Sequence, residues 1–149
     1  MRHLIIYRIS AVLLAIGGGL GHTVGGMLGT ASRGPQAGPE ADLVMSQMRA
    51  VHFLWRGANS DWFDWWMGNG LSVSALLLPV VVVLWVLGRK GRQVPLPIAW
   101  ATFIGLTLLA TIGFVYFGSR IGAVFALVAL LTGTAVVLDT VTLGRRRPS

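Results

Sequence analysis

The 149-residue chain has no cysteine and few charged residues. The absence of cysteine excludes disulfides, thiol catalysis and cysteine-ligated metal sites. Charged residues make up 11% of the chain, against about 25% in a typical soluble domain. Hydrophobic residues make up 54%, and the mean hydropathy is +0.72. A soluble protein covers its core with polar residues, and this composition has too few of them, so it predicts a membrane protein.

The sequence also lacks the short motifs of common enzyme classes. It has no phosphate-binding loop, nucleophile elbow or dinucleotide fingerprint, since its glycine-rich run lies inside an apolar segment and follows no strand. The net charge of +7 could indicate a nucleic-acid partner. However, the basic residues lie at the ends of apolar runs and form no continuous face with interleaved aromatics. We therefore predict no nucleic-acid partner.

Four apolar runs are long enough to cross a bilayer. About 20 apolar residues in a helix span the hydrocarbon layer, and backbone groups in lipid must be satisfied within their own helix. The predicted spans are about residues 4–27, 62–87, 96–117 and 121–143. Little more than residues 118–120 joins the last two, which forces an antiparallel pair. The predicted fold class is all-α, a single membrane domain over 1–149 that forms an integral four-helix bundle.

The distribution of Lys and Arg predicts the orientation of these spans. Eight of them flank the side with both termini, and four flank the other side together with four carboxylates. The eight are Arg2, Arg8, Arg89, Lys90, Arg92, Arg145, Arg146 and Arg147, and the four are Arg33, Arg49, Arg56 and Arg120. We therefore predict a multi-pass protein of the inner (plasma) membrane with both termini cytoplasmic.

Span one also resembles a secretory signal, with small residues at Gly29 and Ala31 where cleavage would occur. Glycines and His22 interrupt its apolar run, so we expect the segment to be retained as a span.

The connection between the first two spans has a helical pattern of its own. Apolar residues recur at helical spacing, which predicts a short amphipathic extracytoplasmic helix at about residues 40–55. Gly57 would end this helix, and Asn59, Ser60 or Asp61 would cap the second span. Four of the six tryptophans lie between residues 52 and 70, which is typical of a membrane–water interface.

Glycines recur every four residues near the end of span one, at Gly17, Gly21 and Gly25. Small residues at this spacing let another helix approach closely. The stripe predicts either tight packing within the chain or the seam of a homodimer.

Two ionisable residues lie inside spans near the predicted cytoplasmic side. Arg8 is in span one, and Asp139 lies at similar depth in span four. Ionisable groups at such depth usually pair, so we predict a structural Arg8–Asp139 ion pair; pairing of Asp139 with Arg145 or water is the alternative.

The predicted topology brings polar residues together at the extracytoplasmic face. The candidate ligand-binding residues are His22, His52, Arg56, Asp64, Asn69 and Tyr116. Asp64 begins an apolar run, where an unpaired carboxylate is costly, so we expect a partner from His22, His52 or Arg56. A carboxylate–imidazole pair can act in acid–base chemistry. A purely structural role for the same cluster is the plain alternative.

A metal site is a third interpretation of this face. Met27, Met45, Met48 and Met67 are predicted on the same side as two histidines, and thioether with imidazole suits copper. Methionine is, however, more often an apolar filler at interfaces. No His-x-x-x-His or Glu-x-x-His motif occurs, so we assign no metal ligand and predict no cofactor.

Three short motifs carry a resemblance to known proteins: Gly21-His22-Thr23, the segment from Met48 to Phe53, and Trp62-Phe63-Asp64-Trp65. On these the chain resembles a group of small bacterial integral membrane proteins with four predicted helices. In outline it is also similar to DoxX-type and sterol-isomerase-type four-helix membrane proteins. The chain lacks the intramembrane glutamates that the sterol-isomerase resemblance would imply.

The function that these patterns favour is non-enzymatic. We expect a small inner-membrane protein, in contact with membrane lipid, that binds a lipophilic ligand or a membrane partner at its extracytoplasmic face. One alternative is a membrane enzyme that uses a His/Asp acid–base pair on a lipophilic substrate. The other is a transporter or channel subunit.

Overall fold

The computed structural model describes residues 2–34, 38–55, 57–91, 95–116 and 119–144. The helices are α1 (Arg2–Leu13), α2 (Gly29–Arg33), α3 (Pro39–Ala50), α4 (Trp62–Leu87), α5 (Leu96–Tyr116) and α6 (Ser119–Gly144), with a π-helical segment (Leu14–Leu28) joining α1 to α2. A two-stranded hairpin of β1 (His52–Trp55) and β2 (Ala58–Asp61) precedes α4.

Four helical runs among the described residues are long and apolar enough to cross a membrane. They are His3–Ser32, Trp62–Leu87, Leu96–Tyr116 and Ser119–Leu143. The bounds predicted for the second run agree with the structure, and those of the third and fourth agree within two residues; Phe117 lies outside the described residues. The first run is longer than the predicted 4–27 because the helix continues, through its π-helical part, past the glycine-rich stretch.

The predicted outer helix at 40–55 is partly wrong, because α3 ends at Ala50 and the hairpin follows. Pro39 at the first helical position favours the start of α3, and Glu40 and Asp42 in its first turn complement the helix dipole. Residues 51–55 are β-branched or bulky and suit a strand. Gly57 lies in the turn with a φ of 86°, a conformation that glycine adopts readily. The described residues outside this hairpin are mainly helical.

Asp61 ends β2 and caps α4. Its carboxylate Oδ1 accepts a hydrogen bond from the backbone N–H of Asp64 at 2.7 Å. This is the ordinary arrangement of an aspartate at a helix N-cap. The prediction that one of residues 59–61 caps span two is confirmed, and the residue is Asp61.

The chain divides into two compact units. The α5–α6 unit comprises Met1–Gly18 and Leu77–Ser149, and the hairpin unit comprises Gly19–Leu76. In the α5–α6 unit, α6 packs against both α5 and α1. Its buried core consists mainly of aliphatic residues and alanines, among them Leu14, Leu84, Leu106, Val128 and Val136.

Glycines let α5 and α6 approach each other closely. A Cβ at Gly113 would lie 3.0 Å from the Cα of Gly122, and a Cβ at Gly133 would overlap the ring of Phe103. These two contacts pair the end of α5 with the start of α6 and the start of α5 with the middle of α6. The predicted antiparallel arrangement of spans three and four is therefore confirmed.

The glycine stripe of span one has different surroundings along its length. A Cβ at Gly17 would lie 2.9 Å from Cγ1 of Val124, so this position is used for packing within the chain. Around Gly25 there is open space to 4 Å. The homodimer seam through Gly17, Gly21 and Gly25 stays a prediction, with Gly17 already occupied by α6.

The α5–α6 contact can be tested with two alanine substitutions on the same helix. Gly113→Ala should lower the free energy of unfolding by about 1–3 kcal/mol, because the new methyl group meets backbone that cannot move aside. Gly105→Ala is the matched control, since a Cβ there meets nothing within 4 Å. It should leave stability unchanged or raise it slightly. Unfolding in a denaturing detergent, followed by circular dichroism, measures both; equal stabilities would contradict the close approach.

Candidate functional site

His22 makes its polar contact with α4 and not with the residues predicted to surround it. Its Nδ1 lies 3.1 Å from Oγ of Ser74, and Oγ1 of Thr23 donates to the same Oγ at 2.8 Å. One turn before Ser74, the Met27 side chain covers Gly70 so closely that a Cβ there would overlap it. His22 therefore belongs to a tight contact between the π-helical segment and α4.

Asp64 lies far along α4 from Ser74, the residue that His22 contacts. Ten residues separate Asp64 from Ser74, which corresponds to about 15 Å along a helix axis. Asp64 is also exposed. The predicted acid–base pair of His22 and Asp64 is therefore not formed, because the two side chains lie at different depths.

Among the described residues of the hairpin unit, none of His52, Asp64 and Asn69 makes a hydrogen bond or ion pair with His22. His52 is exposed and lies opposite Asp61 in the hairpin register, and Asn69 donates through Nδ2 to the Trp65 carbonyl of its own helix at 2.9 Å. Tyr116 is 77% exposed at the end of α5. Arg56 lies outside the described residues. Among the residues that are described, no three His, Asp or Glu side chains come together as a metal site.

An aromatic cluster joins the hairpin to the start of α4. The sequence predicts an interfacial position for its tryptophans but does not predict their contacts with each other and with Phe53. The ring centroid of Phe53 lies 5.0 Å from Trp62 and 5.9 Å from Trp65. Trp62 and Trp65 are three residues apart, so they share a face of α4 and pack edge to face. Beside this cluster the guanidinium of Arg49, in the last turn of α3, lies 4.3 Å from the ring of Phe63.

The same segment exposes several apolar side chains. None of the twelve residues of α3, all of which the structure describes, is buried. The exposed apolar residues of α3, the hairpin and the first residue of α4 are Leu43, Val44, Val51, Leu54 and Trp62, and we call them the α3–hairpin surface. Leu54 is 78% exposed. Exposed apolar surface of this kind marks a membrane, ligand or partner contact more often than chance packing.

A second polar cluster lies in the α5–α6 unit. The Tyr7 hydroxyl donates to Oδ2 of Asp139 at 2.9 Å, and Nε2 of His3 lies 3.0 Å from Oδ1. Tyr7 is fully buried and Asp139 nearly so. Both carboxylate oxygens thus have partners on α1, which suits a structural role that holds α1 against α6.

The predicted Arg8–Asp139 ion pair is replaced by these contacts. His3 and Tyr7 are four residues apart and share the buried face of α1, whereas Arg8 is rotated by about 100° from Tyr7. The Arg8 guanidinium instead lies 5.5 Å from the centroid of the Trp85 ring. The signal that could have identified the true partners is the i, i+4 spacing of His3 and Tyr7 opposite a single acidic residue of span four.

Comparison with known proteins adds no assignment to this geometry. No protein-family model, no curated protein and no solved structure matches the chain. The resemblance to small four-helix membrane proteins stays a prediction.

The Tyr7–Asp139 contact makes a prediction about stability. Tyr7→Phe should lower the free energy of unfolding by about 1–2 kcal/mol, because a buried carboxylate oxygen loses its donor. Tyr116→Phe removes the same hydroxyl at an exposed position and should change stability by less than about 0.5 kcal/mol. The comparison uses unfolding in a denaturing detergent. If both variants match the wild type, the hydrogen bond does not hold α1 on α6.

Proposed function

We propose that the chain is an integral membrane protein with four spans that form one bundle and with both termini in the cytoplasm. Two properties of the long helices support this proposal: their sequences are apolar, and the protein buries only a small share of their apolar residues. The four candidate spans have mean hydropathies between 1.8 and 2.5, and the protein itself buries between 17% and 39% of each apolar window. In water so much exposed apolar surface would cost about 25 cal/mol per Å². Lipid removes that cost.

The charge distribution supports the proposed orientation. Arg89 and Lys90 are exposed just after the last residue of α4. α3 carries Glu40 and Asp42 and begins a segment rich in tryptophan. Positively charged connections stay in the cytoplasm, and tryptophans concentrate at the interface. On this basis we propose that α3 and the hairpin lie on the extracytoplasmic side of the inner membrane.

We infer that the α3–hairpin surface binds a lipophilic ligand or a membrane partner in the outer leaflet. The observation that carries this proposal is the exposure of Leu43, Leu54 and their apolar neighbours. They lie on α3 and the hairpin, which have no buried side chain among those described. The contacts of Phe53 with Trp62 and Trp65 fix the hairpin to α4. A surface held in place before binding loses less conformational entropy when it binds.

The α3–hairpin surface is a different binding site from the pocket of histidines and Asp64 that the sequence predicts. His22 is engaged with Ser74, and Asp64 is exposed. The acid–base alternative requires a histidine within hydrogen-bond reach of Asp64, and no described histidine has such a contact. We therefore propose binding at the α3–hairpin surface as the function.

A charge placed on the α3–hairpin surface should weaken the binding. Leu54→Asp should reduce the amount of lipophilic molecule that copurifies with the protein by about tenfold or more, because burial of one leucine contributes roughly 1.5–3 kcal/mol. Ser46→Asp adds the same charge to the polar side of α3, where the Ser46 hydroxyl bonds only its own helix. Native mass spectrometry of the purified protein measures the bound molecule in each variant.

The control should retain the wild-type amount of bound molecule. If Leu54→Asp retains it as well, or if wild-type protein carries none beyond the detergent, the α3–hairpin surface is not a binding surface. The membrane fraction is assayed in parallel, because loss of all variants from it would contradict the proposed insertion instead.

A further inference from the structure

The α5–α6 unit has a groove that no part of the proposed outer-leaflet function uses. It has a volume of about 320 Å³ and is lined by Ile5, Arg8, Ile9, Val12 and Trp85. The three aliphatic residues follow one another at helical spacing along α1 and are about half exposed. The groove is therefore open and mainly apolar, it runs along a predicted span, and Arg8 is the one cation among its lining residues.

The position of Gly88 explains how Arg8 reaches Trp85. A Cβ at Gly88 would lie 2.9 Å from the Leu4 carbonyl oxygen and would collide with the Arg8 side chain. Without that Cβ, the start of α1 lies directly against the end of α4. The Arg8 guanidinium can then lie over the Trp85 ring at 5.5 Å.

No carboxylate that the structure describes neutralises the charge of Arg8. Among the described residues no carboxylate lies within ion-pair distance of it, and Asp139 is engaged with Tyr7 and His3 on the other face of α1. An arginine in a span normally pairs or extends to the interface. The Trp85 ring contributes a cation–π contact but does not neutralise the charge. The Arg8 guanidinium beside Trp85 therefore favours an anionic ligand.

The depth of Arg8 agrees with a headgroup. The first helical run has 30 residues, which is about 45 Å at 1.5 Å per residue and exceeds the roughly 30 Å of hydrocarbon. Its first turns can therefore lie in the headgroup layer. Trp85 is two residues from the end of α4, where interfacial tryptophans concentrate, and exposed Arg89 and Lys90 follow. Ile9 and Val12 continue from Arg8 toward the hydrocarbon.

We propose that this groove binds an anionic phospholipid of the cytoplasmic leaflet. The phosphate pairs with the Arg8 guanidinium, and the first part of one acyl chain lies along Ile9 and Val12 beside the Trp85 ring. Basic pockets between helices on the cytoplasmic side are suited to such headgroups. The groove volume of about 320 Å³ accommodates part of one lipid. The proposal rests on the membrane insertion proposed above.

Native mass spectrometry with defined lipids tests the site. Purified protein is incubated with equal amounts of phosphatidylglycerol and phosphatidylcholine that carry identical acyl chains. The wild type should bind phosphatidylglycerol preferentially. Arg8→Gln should reduce that preference about fivefold, since one cation near the surface contributes about 1 kcal/mol. Arg8→Lys keeps the charge and should keep most of the preference, while inorganic phosphate should not displace the lipid.

Arg120→Gln is the matched control, because it removes one exposed arginine at the start of α6. It should bind both lipids as the wild type does. Ile9→Ser changes the apolar wall and should weaken both lipids alike. The proposal is wrong if Arg8→Gln and Arg120→Gln keep the same preference. It is also wrong if the mass spectrum shows a dimer of the chain that binds neither lipid.

The outcome is separable from the function proposed above. Loss of wild-type protein from the membrane fraction contradicts insertion, and Leu54→Asp tests the outer surface. Unchanged lipid preference in a membrane-bound Arg8→Gln protein contradicts only the Arg8 site.

Discussion

The structure depends on one constraint: its long helices leave most of their apolar surface uncovered by protein. The second candidate span has a mean hydropathy of 2.5, and only 17% of its apolar window is buried. A helix of this kind satisfies its backbone internally but cannot remain in water with its side chains exposed. We infer that lipid covers the rest. The interpretation of every exposed isoleucine, leucine and tryptophan in the chain follows from that inference.

In lipid, apolar side chains gain little by leaving their surroundings for a neighbouring helix, so close packing and hydrogen bonds must hold helices together. The helix contacts of this protein have that character. Within the α5–α6 unit, Gly113 lies on Gly122, and Tyr7 bonds to Asp139. Within the hairpin unit, Thr23 and His22 meet Ser74. Of the polar residues in the predicted site, His22 is thus used for helix association.

The sequence predicted the helices well and their contacts poorly, for a physical reason. Spans of apolar residues are a property of one segment, so the bounds of α4, Trp62–Leu87, could be predicted from composition alone. The choice between Tyr7 and Arg8 as the partner of Asp139 depends on the rotation of α1 about its axis, which one residue changes by about 100°. The depth of His22 relative to Asp64 depends on which residue of α4 it meets. The hairpin was missed because apolar residues at 51–55 continue the helical spacing of α3, and only pairing with residues 58–61 favours a strand.

The most direct test of the membrane topology uses the absence of cysteine from the chain. Single cysteines are introduced at two exposed positions, Ser46→Cys in α3 and Lys90→Cys in the turn after α4, and whole cells stripped of any outer membrane are treated with a membrane-impermeant maleimide. We predict that Ser46→Cys is labelled in intact cells, whereas Lys90→Cys is labelled only after the membrane is opened. Labelling of both cysteines in intact cells, or of Lys90→Cys alone, would contradict the proposed arrangement of four spans with the hairpin outside.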